Sequence, residues 1–361
     1  LGVAEIAFTA VPQRRGTAYE EVEVRKSRIL FGVFVASAAL ILSGCAASGS
    51  TPAKSSAAKP KSGGPFTLQI VQTTPSFSYL PLDVIEHATG ATNDLTISTT
   101  DANGGAAASQ LFSAGTGQIL VSGGDGPARL LQTGVADVTV IASLQQNNPF
   151  VIVSKKGSSI KNIKDLEGKT IGITGVGSET EVSIQSELVK AGVPLTSVHL
   201  IALGSIPALI AALDQGSVQA IPVESPYLET EQASGDVQIV DDLRSMNYPS
   251  SLVVARTKDV EANPGAYCAF NASLKAAMEK LYTDHPYALS EAAALLGPTG
   301  GTQSQLKEQL NEYLKDSWTR NIIFTQAQYN TLKRVLTTSG EFQTAGFPTF
   351  AGMTKSAPKC K

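Results

Sequence analysis

Acids, hydroxyls and aromatics cluster in four short segments, each just after a β-branched run. They are Ser76, Phe77 and Tyr79; Gly123, Gly124 and Asp125; Ser178, Glu179 and Thr180; and Glu224, Ser225 and Tyr227. Such groups hold a polar ligand by hydrogen bonds and ring contacts. Each also has a plainer role: Ser178 and Glu181 can cap a helix, Asp125 can cap the next one, acids suit a helix's first turn, and Phe77 and Tyr79 can be core. Little points to bond-making chemistry. The three histidines, His87, His199 and His285, are scattered without metal-ligand spacing. Gly175-Val176-Gly177-Ser178 is glycine-rich but has neither the Lys-Ser/Thr of a phosphate loop nor the third glycine of a dinucleotide loop. No cofactor is expected.

Alternating elements would position these segments. Strands are expected at Thr67–Thr73, Leu95–Thr100, Gln118–Ser122, Val138–Ala142, Phe150–Ser154, Thr170–Thr174, Val198–Leu203, Gln219–Val223, Val237–Val240 and Ser251–Ala255. Most are separated by enough chain for one helix, the pattern of open, largely parallel α/β sheets. Ser205 can cap a helix carrying Ile206, Leu209, Ile210 and Leu213 that stops at Gly216. Ser178-Glu179-Thr180-Glu181 has capping-box spacing, and Gly192 with Pro194 ends that helix. Beyond Val260 the chain reads as helical, with Trp318, Tyr313 and Leu314 as core. A faint echo links Leu111–Gly124 to Leu213–Pro226: helix end, glycine, then a glutamine (Gln118 or Gln219) opening a strand. Two lobes on one plan would set both following loops at carboxyl sheet ends, where open α/β sheets bind ligands.

Arg25, Lys26 and Arg28 precede an uncharged run from Ile29 to Leu42, which at 14 residues is shorter than the ~20 needed to span a bilayer. A basic region, a short apolar region and small residues form an export signal. Leu42-Ser43-Gly44-Cys45 resembles the lipobox of bacterial lipoproteins, which implies lipidation of Cys45 and anchoring to the bilayer through its acyl chains. A signal peptide with a chance cysteine, or a short signal anchor, is the alternative. Residues 46–64 are nearly all Ala, Ser, Gly, Pro and Lys, a flexible tether. Residues 1–24 read as a non-native upstream extension, residues 25–45 as the signal, and Val22 or Val24 as nearer the true start. The remainder suits two lobes. A net charge of −3 gives no electrostatic case for nucleic acid. Cys268 and Cys360 then form an even pair in an exported chain, read as a disulfide, with two unpaired structural cysteines as the alternative.

Ile160-Lys161-Asn162-Ile163-Lys164-Asp165-Leu166-Glu167-Gly168-Lys169-Thr170-Ile171-Gly172 resembles the opening of the second lobe in the nitrate, sulfonate, taurine and thiamine-precursor receptors of ABC importers. Pieces at 75–90, 123–127, 175–181 and 213–226 match less specifically. The resemblance implies a two-lobed periplasmic-binding-protein-like fold (type II): two open α/β sheets joined by two crossing strands and a helical C-terminal part. Lobe 1 would comprise 65–148 plus 248–361 and lobe 2 149–247, with crossings near Asn148–Val153 and Met246–Val253. It implies an extracytoplasmic receptor, with permease and ATPase subunits as partners and a sulfonate, taurine, nitrate, amine or pyrimidine as solute. Two departures stand out: the family's Asp after the glycines aligned with Gly115 and Gly216 is Gln118 and Gln219 here, and its aromatic-rich stretch is Ala91-Thr92-Asn93. The acids and hydroxyls of the loops favour a neutral, zwitterionic or cationic solute. The alternatives are an exported sensor without a transporter, or an enzyme of the thiamine-pyrimidine-synthase type, whose cysteine-rich motif this chain lacks.

If Cys45 is acylated, metabolic lipid labelling marks the unmodified protein and not Cys45→Ser; label retained on the variant removes the lipoprotein reading.

Overall fold

Runs of Val, Ile and Thr bounded by glycines fold as strands because branched side chains fit a pleated, half-buried surface. The computed structural model describes residues 66–73, 76–89 and 95–360; residues 1–65, with the expected extension, signal, Cys45 and tether, lie outside the described residues. The chain begins β1 (Phe66–Gln72), α1 (Leu80–Thr89), β2 (Leu95–Asp101), α2 (Gly105–Ser113), β3 (Ile119–Ser122), α3 (Asp125–Thr133) and β4 (Val138–Ser143). It continues as β5 (Val151–Lys155), β6 (Thr170–Ile173), α4 (Glu179–Ala191), β7 (His199–Ala202), α5 (Ile206–Asp214), β8 (Ala220–Val223), α6 (Tyr227–Ser234) and β9 (Val237–Asp242). It returns as β10 (Leu252–Arg256) and ends in α7 (Thr257–Ala262), α8 (Pro264–Thr283), α9 (His285–Leu296), α10 (Gln303–Glu312), α11 (Gln326–Thr338) and α12 (Phe350–Met353). All ten expected strands are present, with ends shifted by one or two residues.

Two five-stranded sheets result, ordered β2-β1-β3-β10-β4 and β7-β6-β8-β5-β9. In the first, β1 pairs parallel with β2 from Phe66↔Leu95 to Gln72↔Asp101, and β10 runs antiparallel to β3 and β4. In the second, β6 pairs parallel with β7 from Thr170↔His199 to Ile173↔Ala202, and β5 runs antiparallel to β8 and β9. The two orders are one plan used twice. The glutamines mark the same joint in each: Gln69 N–H donates to Gln118 Oε1 at 2.8 Å, and Thr170 N–H donates to Gln219 Oε1 at 2.9 Å. Gln118 and Gln219 thus tie neighbouring strands, which needs an acceptor oxygen and no charge.

The crossings between sheets run side by side. Leu144 N–H donates to Ser251 O at 2.8 Å, Asn148 N–H to Met246 O at 3.2 Å and Leu243 N–H to Phe150 O at 3.1 Å. One core packs Leu68, Ile70 and Val253 against Phe270, Leu274 and Met278 of α8, with Tyr313 and Trp318 buried in it. The other gathers Ile171 and Ile221 with Val182 and Leu209.

Three local expectations need correction. Ser205 stands before α5 but its hydroxyl makes no cap bond; Pro207 in that first turn has no N–H to offer. Ser178 does cap α4, accepting from Glu181 N–H at 3.4 Å, yet the Glu181 carboxylate accepts from Gly177 N–H at 2.5 Å, so the reciprocal bond falls one residue early. The segment after 248, expected within the first lobe, touches both: α11 packs on α4, while its Gln328 Nε2 donates to the Ser143 hydroxyl of β4 at 3.1 Å and its Leu332 lies over Gly124. The chain then turns back, α12 packing on β4 and α3.

Cys268 of α8 is joined to Cys360, 92 positions on in sequence, in a disulfide with Cα atoms 5.4 Å apart. Chain-entropy arguments give a loop of that length an upper bound of ~4 to 5 kcal/mol. Cys268→Ser is therefore expected to lower the urea midpoint under non-reducing conditions; an unchanged midpoint would show that the bridge adds nothing to stability.

Candidate functional site

Every parallel strand ends in a loop facing the same place. Loops after β1, β2, β3, β6, β7 and β8, with both crossings, wall a cavity of about 60 Å³, at the carboxyl ends where open α/β sheets place ligands. Ser76, Tyr79, Gly123, Asp125, Ser178, Glu179, Thr180, Glu224 and Tyr227 line it. Phe77, Gly124 and Ser225 do not. Phe77 is fully buried and stacks on Tyr313 at 5.3 Å, because apolar surface beside a core is removed from water there. Gly124 lies under Leu332, and its N–H donates to Pro249 O at 3.2 Å. Ser225 turns its hydroxyl to Glu229 Oε1 at 2.6 Å.

The structure adds lining residues that were not expected. Gly104–Gly105 and Gly204–Ile206 follow β2 and β7, and the carboxyl-end rule applied to all six parallel strands would have found them. Gln145, Pro149, Phe150, Ser250 and Ser251 belong to the crossings and carry no such signal. Thr73, Ser78 and Thr174 complete the wall.

Several contacts join the two lobes directly. The Ser78 hydroxyl donates to Glu224 Oε2 at 3.0 Å, and the Ser250 hydroxyl donates to Glu179 Oε1. Gly104, at φ +90°, comes so near the Gly204 carbonyl that a Cβ would overlap it, which requires glycine on both counts. A Cβ at Gly123 would likewise run into the carboxylates of Asp125 and Glu179. Asp125 opens α3; its N–H donates to the Tyr248 hydroxyl at 3.0 Å, and that hydroxyl donates to Asp125 Oδ1 at 3.3 Å. Asp125 is thus not a cap but a nearly buried acid on the cavity wall.

Burial dominates the electrostatics. It raises the Asp125 carboxyl to about 6, against the pull of Arg129. Glu224 rises to about 7, held down in part by the hydroxyls of Ser78 and Ser76. Glu179 is pushed well above the usual carboxylate range by burial and then by Asp125. Among the described residues no Lys, Arg or His lines the cavity. Arg129 does not line it but is near enough to draw the Asp125 carboxyl down; its guanidinium lies over the Phe342 ring at 4.8 Å and 3.7 Å from Glu341.

A family model described as NMT1/THI5 like matches residues 91–288. A search of curated proteins returned no match. Among solved structures, the alkanesulfonate-binding protein SsuA from Xanthomonas axonopodis pv. citri, bound to MOPS, is 17% identical; 82% of this chain covers 96% of that one at a TM-score of 0.64. The periplasmic aliphatic sulphonate binding protein SsuA of Escherichia coli is also 17% identical, with 82% and 98% covered and a TM-score of 0.64. The ligand binding component of an ABC-type import system from Staphylococcus aureus, with zinc bound, is 11% identical, with 82% and 99% covered and a TM-score of 0.67. At these identities the likeness is one of fold: the two-lobed fold of periplasmic solute-binding proteins.

The raised carboxyls give the protein a pH dependence of definite sign. Asp125, Glu179 and Glu224 hold their protons more tightly folded than unfolded, so the stability this contributes is full below the ordinary carboxylate range and is lost as pH rises through about 6 and 7. Without ligand, the full chain is expected to melt about 3 to 5 °C higher at pH 5 than at pH 8, with a shallower slope in Glu224→Gln. An identical slope in the variant, read by calorimetry, would contradict this account.

Proposed function

Because the chain belongs to the NMT1/THI5-like family, we propose that it is an extracytoplasmic receptor of an ABC importer, closing two lobes over a small organic solute. The observation that carries this reading is the cavity itself, walled by matching loops of two sheets and by the two crossings that join them. A cleft of this kind binds through contacts made by both lobes at once, so occupancy and closure are coupled. The resemblance of residues 42–45 to a lipobox, with a polar tether after it, supports attachment to the membrane outer face through Cys45. Permease and ATPase subunits would then receive the solute.

The carboxyls of the wall are held by hydroxyls of Ser78, Ser250 and Tyr248, an arrangement suited to holding a polar solute.

Native mass spectrometry of the gently purified full chain is expected to show a small-molecule adduct lost on mild unfolding. Small-angle scattering is expected to show a more compact particle with that solute than without it. No saturable binding across a broad library of sulfonates, amines, pyrimidines and amino acids would overturn the receptor reading.

A further inference from the structure

We propose that the solute is a compact organic cation with N–H donors (an ammonium, amidinium or guanidinium compound) and not a sulfonate or nitrate. This rests on the receptor reading above and specifies its ligand. Asp125, Glu179 and Glu224 supply three carboxyls to one small cavity that, among the described residues, no Lys, Arg or His lines. Asp125 and Glu179 come from opposite lobes and meet at Gly123, so closure presses like charges together. A cation between them removes that repulsion and takes charge-assisted hydrogen bonds from both sides.

The rest of the wall fits the same occupant. The rings of Tyr79, Phe150 and Tyr227 line the cavity, and aromatic faces attract cations and not anions. Gln145 is fully buried; its Oε1 accepts from the Ser251 hydroxyl at 2.6 Å, while its Nε2 has no partner. An unmade bond of that kind is costly in a dry wall, and an acceptor atom on the solute, such as a hydroxyl or carbonyl oxygen, would complete it. The first residues of α2 to α6 also border the cavity, and helix N-termini favour anions. Three of those ends already carry an acid in the first turn, Asp125 in α3, Glu179 in α4 and Glu229 in α6, so their partial positive charge is met from within the protein. A volume of about 60 Å³ suits a small solute.

The test is isothermal titration calorimetry of the full chain with ethanolamine, methylguanidine and methanesulfonate. At least one of the two cations is expected to bind saturably, and Asp125→Asn or Glu224→Gln to weaken it by about ten- to a hundred-fold. Circular dichroism checks that each variant is folded. Competition between the cation and methanesulfonate on the unmodified chain needs no variant, and the sulfonate is expected not to displace the cation. Binding of methanesulfonate that neither cation displaces would overturn the charge assignment and leave the receptor reading standing. If none of the three binds and native mass spectrometry recovers a neutral or anionic solute, the proposal is equally overturned. Absence of any bound or binding solute would overturn both.

Discussion

Two carboxylates from different lobes cannot share a small dry space for nothing. Unit charges 4 Å apart repel by about 4 kcal/mol at an effective dielectric of 20. The acids of α3 and α4 flank Gly123, whose missing side chain is what lets them approach. A proton or a bound positive group must therefore accompany closure. Much else in the site serves that condition. Tyr248 and Ser250, on the returning crossing, each hold one of the two acids, and Ser78 holds the third across the lobe boundary.

Two of these three hydroxyls, those of Tyr248 and Ser250, sit on a crossing. The crossings are hydrogen-bonded to one another at Leu144, Asn148 and Leu243, so groups fixed there are held by both lobes at once. The loops after the parallel strands belong to one lobe each.

Much of this was legible in the sequence. The strands were, because branched residues bounded by glycines leave few other conformations, and the site loops were, because they follow strands whose carboxyl ends bind ligands. Nine of the twelve expected ligand contacts line the cavity. The rest depended on distant partners. Phe77 is core because Tyr313 waits far along the chain, and Gly124 is covered by Leu332. Gln145, Ser250 and Ser251 follow no strand-end rule, since a crossing passes between sheets instead of ending at one. Helix α11 has an apolar stripe that any lobe could have accepted. The choice of α4 was made by tertiary packing, which propensity does not encode.

That last choice has a mechanical side. From α11, which packs on α4 of the second lobe, the chain returns through α12 to the first, where Cys360 is joined to Cys268. The molecule thus carries a third strap between its lobes beside the two crossings, covalently fixed at its first-lobe end and seated on the second lobe by apolar contact.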